Sequence, residues 1–305
     1  MAGDGDGRPV GVLLMAYGTP ASTDDVAGYY THIRRGRPPT DEQLADLVRR
    51  YDAIGGVSPL LERTRAQVRG VAAALGDGFV CGLGQKHAAP FIEDGMASLL
   101  AAGVRGVVGV VLAPHYSALS VGEYHARATA ACDGAVPYAG VASWHVEPGL
   151  IDLLADRVKV ALGRFPYGTR VETLITAHSL PSRVLDMGDP YPSQLQATAE
   201  AVMAAAGVPA AGWRLAWQSA GRTPEPWLGP DILEVIRSLE GFDGVVVCPA
   251  GFTSDHLEVL YDIDVDARRV AEEMGMRLER TQSLNDDPAL CTVLADVARR
   301  EAAGL

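Results

Sequence analysis

The sequence is short of several things, and each shortage closes a possibility. Only 6% of its 305 residues are aromatic and only four are cysteine. Cys81, Cys132, Cys248 and Cys291 lie far apart and form no CxxC pair. That is cysteine usage of a reducing compartment, as a small buried hydrophobe, and it fits neither a disulfide scaffold nor a structural zinc site. No apolar run reaches the ~18 residues that a membrane-crossing helix needs. The opening MAGDGDGRP lacks the positive-then-apolar order of a signal peptide, and residues 1–8 are expected to be a flexible tail. Basic residues are outnumbered, 26 Lys and Arg against 38 Asp and Glu, for a net charge of -12. A nucleic-acid binder needs a basic face, whereas this balance suits a protein that attracts small cations. There is no G-x-G-x-x-G after the first apolar run and no P-loop, so a nucleotide or dinucleotide enzyme is poorly supported. The expectation is a soluble, cytoplasmic, acidic protein.

What is present is a large hydrophobic fraction, 48%, enough for one large or two ordinary cores. Short, nearly continuous apolar runs at residues 10–17, 79–83, 107–113 and 138–144 read as strands buried on both faces. The same pattern restarts at 173–177, 214–217, 244–249 and 277–280. Helical stretches of about a dozen residues separate them, which predicts βαβ units and parallel sheets. Thr40 is expected to cap a helix over 41–51, Pro59 to take the first position of a helix ending near Leu75, and residues 288–303 to form a closing helix. The two halves echo each other. VLLMAYGTP answers TLITAHSLP, and VVLAPHYSALSVGEY answers VVCPAGFTSDHLEVLY. In each, a strand stops at a small or proline-containing corner and delivers polar groups at its carboxyl end, where open parallel sheets bind ligands. Two such halves face to face would make a cleft lined by both sets of corners.

Residues 244–267, GVVVCPAGFTSDHLEVLYDIDVDA, read as a strand, a break and a helix carrying Glu258, Asp262 and Asp266. Steps of four turn about 400° on an α-helix, so these acids form one slowly drifting row. Such a row is either a path for a cation or a solvated face. His178 follows a buried strand directly, where a histidine serves as a structural hydrogen-bonder or as a functional group. Its match to Tyr17 in the echoed half favours function. A hydrolase through Ser179 fails, because there is no G-x-S-x-G elbow. Histidine with carboxylates and no cysteine ligand suits a transient site for a divalent iron or similar metal. The run HIRRGRPP supplies Arg34, Arg35 and Arg37, with Arg49, Arg50 and Tyr51 a helix later. These are carboxylate partners or helix-end charges favoured by the dipole.

The motifs MAYGTP, YYTHIRRGRPP, RYDAIGGVSPL, APHYSALSVGEY, TAHSLP, GDPYPSQL, AWQSAGRTPEPWLGPD and GFTSDHLEVLYDID follow one another as they do in ferrochelatases. The sequence resembles most the soluble Gram-positive type of coproporphyrin ferrochelatase, over nearly its whole length. The resemblance implies an α/β fold of two Rossmann-like domains, each a four-stranded parallel sheet flanked by helices, with the active-site cleft between them (the class II chelatase fold). The domains are expected at 9–146 and 147–284, with residues 285–305 packing back on the first. It implies insertion of ferrous iron into coproporphyrin III to give coproheme III, without an organic cofactor. His178 and Glu258 then correspond to the metal-handling and catalytic pair, and Tyr17 to an axial ligand facing the iron from the other side. Arg34, Arg35, Arg50, Tyr51, Ser58 and Tyr124 fall where the family holds porphyrin propionates. Lys86 and His87 match its Lys-His pair, and Asp262 and Asp266 its acidic row. Some relatives carry a [2Fe-2S] cluster on clustered cysteines near the carboxyl terminus; here that region offers Cys291, so no cluster is expected. The expected partners are porphyrin and ferrous iron, with no nucleic acid and no membrane anchor. The protein is expected to be a monomer that touches other haem-pathway enzymes transiently. The rival readings are a protoporphyrin IX ferrochelatase, a cobalt or nickel chelatase, and a haem or porphyrin carrier without catalysis. An unperturbed imidazole, with a pKa of about 6.5, is mostly neutral near pH 7, which is the state His178 needs to accept a proton or to make first contact with iron.

Overall fold

The structure is a computed structural model that describes residues 7–221 and 223–305. Most of the expected tail, residues 1–6, and Arg222 of the AWQSAGRTPEPWLGPD motif lie outside the described residues. The chain divides into two compact units, one of residues 1–113, 118–144 and 285–305, the other of 114–117 and 145–284.

In the first unit β1 (Val10–Ala16) is buried at every position and lies inside a parallel sheet. Its neighbours are β2 (Phe79–Gln85) and β3 (Val107–Val111), and β4 (Tyr138–Gly140) pairs with β3, giving the order β2-β1-β3-β4. A strand with apolar neighbours on both faces needs VGVLLMA, and that continuity is why it was legible. The helices are α1 (Val26–Ile33), α2 (Asp41–Ala53), α3 (Leu60–Leu75), α4 (Ile92–Ala101) and α5 (Val121–Cys132). Thr40 caps α2 as expected, in a reciprocal box with Gln43. Two expectations shift. Pro59 takes the cap position and α3 starts at Leu60. The fourth strand is three residues long rather than seven, since Val141 already turns away after its N–H meets Gly109 O at 2.9 Å.

The second unit repeats the arrangement. Its helix α6 (Pro148–Leu162) leads into β5 (Val171–His178). A short helix α7 (Arg183–Asp186), not foreseen, and α8 (Tyr191–Ala206) precede β6 (Trp213–Gln218). Then come α9 (Ile232–Arg237), β7 (Gly244–Cys248), α10 (Leu257–Tyr261), α11 (Arg268–Glu273) and β8 (Arg277–Arg280). The sheet is parallel in the order β6-β5-β7-β8, so β5 and β7 hold the places that β1 and β3 hold in the other sheet. Its core gathers Leu174, Val245, Val247, Val259, Ile263 and Val270.

The acidic helix is not one α-helix. Between α10 and α11 the chain winds as π-helix over Asp262–Ala267. The wider turn bonds i to i+5, so acids four apart no longer stack as an α-helix would stack them. Ile263 and Ala267 are fully buried there while Asp264 and Asp266 are partly exposed.

Last, α12 (Pro288–Ala302) returns to the first unit and packs on α3 and β3. The contact is close because Gly70 offers no side chain: a Cβ there would stand 2.4 Å from Cys291 Sγ. Gln67 donates to Asn285 O at 2.8 Å, tying the entry of α12 to the same helix.

Candidate functional site

In the second unit the polar groups collect where β5, β6 and β7 end. His178 is the last residue of β5, and the strand holds it there through pairing with Gln218 of β6. The turn after β7 folds back onto the same end. Gly251 N–H donates to Thr176 O at 3.0 Å, and a Cβ on Gly251 would sit 2.5 Å from the Ala177 Cβ. Only glycine lets that turn lie against the residue before His178.

The turn brings α10 to the strand end. His178 Nε2 is 3.5 Å from Glu258 Oε1, and His256 Nε2 is 3.5 Å from Glu258 Oε2, so one carboxylate spans two imidazoles. The backbone of Glu258 is held as well, since Gln218 Nε2 donates to Glu258 O at 3.2 Å while Gln218 Oε1 accepts from Thr176 Oγ1 at 2.8 Å. Tyr191 O–H donates to His178 O at 3.0 Å, and His178 Nδ1 donates to Ser179 O. That leaves Nε2 as the ring nitrogen turned toward the carboxylate.

Burial opposes charge on His178, but the Glu258 carboxylate and its hydrogen bond, with Ser179 O and Asp262 beyond, push its pKa up to about 9. For Glu258 burial alone would raise the pKa; the charge of His178 and the bonds from His178 and His256 instead hold it well below the usual carboxylate range. The resting pair is therefore imidazolium and carboxylate. This corrects the expectation of a neutral ring near pH 7, which used an unperturbed value and could not include a partner 80 residues away.

Asp262 is nearly buried and accepts a bond from Ser219 Oγ, a residue held at a positive φ of 61° just past β6. Asp266 is partly exposed, 3.8 Å from Arg269. Among the described residues no three His, Cys, Asp or Glu side chains converge closely enough to hold a metal ion. His178 and Glu258 are thus brought together, Asp262 lies near enough for its charge to act on His178, and Asp266 is turned to Arg269.

In the first unit the loop after β2 is pinned to the end of β1 by Lys86 N–H to Ala16 O, 2.8 Å, and His87 N–H to Tyr17 O, 2.9 Å. Tyr17 lies one residue past β1, is 42% exposed, and its ring is 4.6 Å from that of His87. His87 Nδ1 is 3.0 Å from His32 Nδ1, so the two rings share one proton. Burial, then Lys86, His32 and Arg127, lower the His87 pKa to about 3. Lys86 Nζ donates to Glu123 Oε2 at 2.5 Å and lies 5.1 Å over the buried Tyr124 ring, while Arg35 reaches Glu123 at 3.6 Å. Arg34 stacks on Tyr30, and Arg50 pairs with Asp46 at 3.4 Å. Tyr51 and Ser58 are buried: the Tyr51 hydroxyl meets Thr19 Oγ1 at 3.3 Å, and Ser58 Oγ accepts from Leu60 N–H at 3.3 Å at the entry to α3.

Sequence reasoning passed over His256, Ser219, Gln218 and Tyr191. The signal for His256 was on the page, two residues before Glu258 in the same motif. Gln218 and Ser219 could have been found by the echo, since Gln85 ends the matching strand of the first unit and Lys86 follows it.

The sequence profile of the ferrochelatase family matches residues 9–302. The chain is 44% identical to a coproporphyrin III ferrochelatase from Anoxybacillus flavithermus, over 98% of this chain and 99% of that one. It is 43% identical to a ferrochelatase from Deinococcus radiodurans, covering 97% of each. It is also 41% identical to a coproporphyrin III ferrochelatase from Listeria innocua, covering 95% of this chain and 97% of its relative. Among solved structures, the cobalt complex of the sirohydrochlorin chelatase SirB from Bacillus subtilis matches with a TM-score of 0.61 at 12% identity, over 97% of this chain and 96% of that one. At that identity the likeness is one of fold.

Proposed function

The chain belongs to the ferrochelatase family, and from that premise we propose that it inserts ferrous iron into coproporphyrin III, with His178 and Glu258 as the groups that handle the metal and the protons. It is an iron chelatase, and iron is its substrate. The observation that carries the residue assignment is the pair itself: an imidazole and a carboxylate 3.5 Å apart, each about a third exposed, at the carboxyl end of a central strand.

Metallation removes two pyrrole protons and replaces them with a cation. An approaching divalent cation disfavours the imidazolium, so His178, about a third exposed, releases its proton to solvent as iron arrives. The neutral Nε2 can then accept a pyrrole proton or take the iron first, while Glu258 keeps its negative charge for the metal. In this reading Asp262 and Asp266 feed iron or drain protons, and Tyr17 faces the iron of the product. Arg34, Arg35, Arg50 and Lys86 are the basic set for propionates, with His87 as a neutral hydrogen-bonding group beside them and Tyr51, Ser58 and Tyr124 completing the set. Coproporphyrin III carries four propionates, and two of the three relatives above bear its name. Remote carboxylate contacts of this kind can supply the binding energy that ruffles a macrocycle. The four cysteines are free thiols, in keeping with the reducing compartment of a cytoplasmic enzyme. Among the described residues no helix is long and apolar enough to cross a membrane.

The test is an anaerobic assay with ferrous iron and either coproporphyrin III or protoporphyrin IX. Insertion should be at least about tenfold more efficient with coproporphyrin III, a margin of about 1.4 kcal/mol that one propionate contact can supply. Equal efficiency would reject the substrate assignment, and porphyrin binding without insertion would turn the reading to a carrier.

A further inference from the structure

A π-helical stretch winds less favourably than an α-helix and persists where something holds it. Here that stretch, Asp262–Ala267, follows directly on α10, which carries Glu258. One side chain from another strand grips its Asp264. Arg280, the last residue of β8, donates through Nε to Asp264 Oδ1 at 2.9 Å and through Nη2 to Asp264 Oδ2 at 2.9 Å. Its Nη1 donates to Asp255 Oδ1 at 3.2 Å and to Ser283 Oγ at 3.0 Å, and Ser283 Oγ donates to the same Asp255 oxygen at 2.7 Å. Arg280 is only 14% exposed.

Asp255 lies three residues before Glu258 and Asp264 six after it, so one guanidinium grips both flanks of α10. Only a planar fork can bind one carboxylate side-on and keep a donor for a second; the point charge of a lysine cannot. Arg268 also approaches Asp264, at 3.7 Å, and donates to Asp264 O and Leu278 O, but it is 42% exposed and lies one turn along the same helical run, whereas Arg280 comes from β8 to both flanks. We propose that Arg280 is the positioning residue of the iron-handling group: by clamping Asp255 and Asp264 it sets where α10 presents Glu258 to His178 and how the acids of the π stretch are turned. The inference rests on the reading of Glu258 as an iron-handling residue.

Arg280→Lys keeps the charge and loses the fork. Expected is a rise of about tenfold to a hundredfold in KM for ferrous iron divided by kcat, the size that a small misplacement of a reacting group brings. The dissociation constant for coproporphyrin III, read by absorbance in the absence of iron, should stay within about twofold of wild type. Unchanged iron kinetics would overturn the proposal, and so would a loss shared equally between iron use and porphyrin binding, which is what a loosened fold produces. Asp255→Asn, which removes one arm of the clamp, should show the same split at smaller size, and it decides the question if Arg280→Lys does not fold. His178→Ala and Glu258→Ala, measured beside them, separate the two readings. If these keep full insertion while Arg280→Lys loses it, the assignment of the pair fails. If these lose it while Arg280→Lys keeps it, the clamp fails alone.

Discussion

A proton acceptor must be unprotonated when its turn comes, and His178 at rest is not. Its ring is charged because Glu258 stands 3.5 Å away, a contact that closes between residues far apart in the chain. For that reason sequence could single out the two residues as candidates but could not read their state. His178→Ala should lower iron insertion by a factor of about 10²–10⁴, the usual worth of a positioned acid–base group, while coproporphyrin binding persists; full insertion in that variant would remove His178 from the mechanism. His115 makes a separate case. Thr198 spends its hydroxyl proton on a carbonyl, His145 O at 3.0 Å or Gln194 O at 3.1 Å, so the 2.9 Å contact requires His115 Nε2–H to donate to Thr198 Oγ1. Nδ1 is then left bare and buried, without a partner among the described residues. Burial, helped by His145, lowers the pKa of His115 from 6.5 to about 3. A depressed folded-state pKa means stability that is complete above about pH 6.5 and is lost as pH falls from there toward 3. Denaturant midpoints between pH 7.5 and about 4.5 should fall in wild type and fall less in His115→Gln; identical slopes would show that the ring does not matter.

At the scale of elements, what sequence made legible was continuity and repetition. β1, β3 and β7 are near-unbroken apolar runs, and such runs have few readings other than a strand covered on both faces, while β5 was legible as their echo. Two features were not legible. The three-residue β4 was overdrawn because Val141 and Trp144 are apolar for packing rather than for pairing. The π stretch was hidden because an α-helix and a π-helix ask for the same residue types, and the bond that Asp264 makes with Arg280 of the next strand leaves no trace in a periodicity. Packing between α3 and α12 gives the prediction at this scale. Gly70→Ala should improve helix propensity by about 1 kcal/mol, yet the protein should become about 1–3 kcal/mol less stable, because the new methyl meets Cys291 Sγ. Cys291→Ala added to it should recover much of the loss, and strict additivity in that double-mutant cycle would refute the contact.

Over the whole molecule, a net charge of -12 makes a field that gathers divalent cations and that salt screens. The apparent KM for ferrous iron should therefore rise as ionic strength goes from about 20 to about 300 mM, where the Debye length falls to several ångström; a flat dependence would confine the electrostatics to the pair and its neighbours. The echo between halves, read from a few residues at strand ends, proved to be a shared strand order, β2-β1-β3-β4 and β6-β5-β7-β8. The path of the chain through the two units was not written in any periodicity, because α12 carries the same amphipathic pattern whichever sheet it covers. That path orders events during synthesis. Residues 145–284 are all synthesised before α12, so α3 waits through the roughly 210 residues between Leu75 and Pro288 for the partner that covers Gly70. At about 5–20 residues per second the wait is on the order of ten to forty seconds. For that time the earlier-made unit exposes an apolar helix face on a nascent chain, and a chaperone that binds such faces has its natural window there.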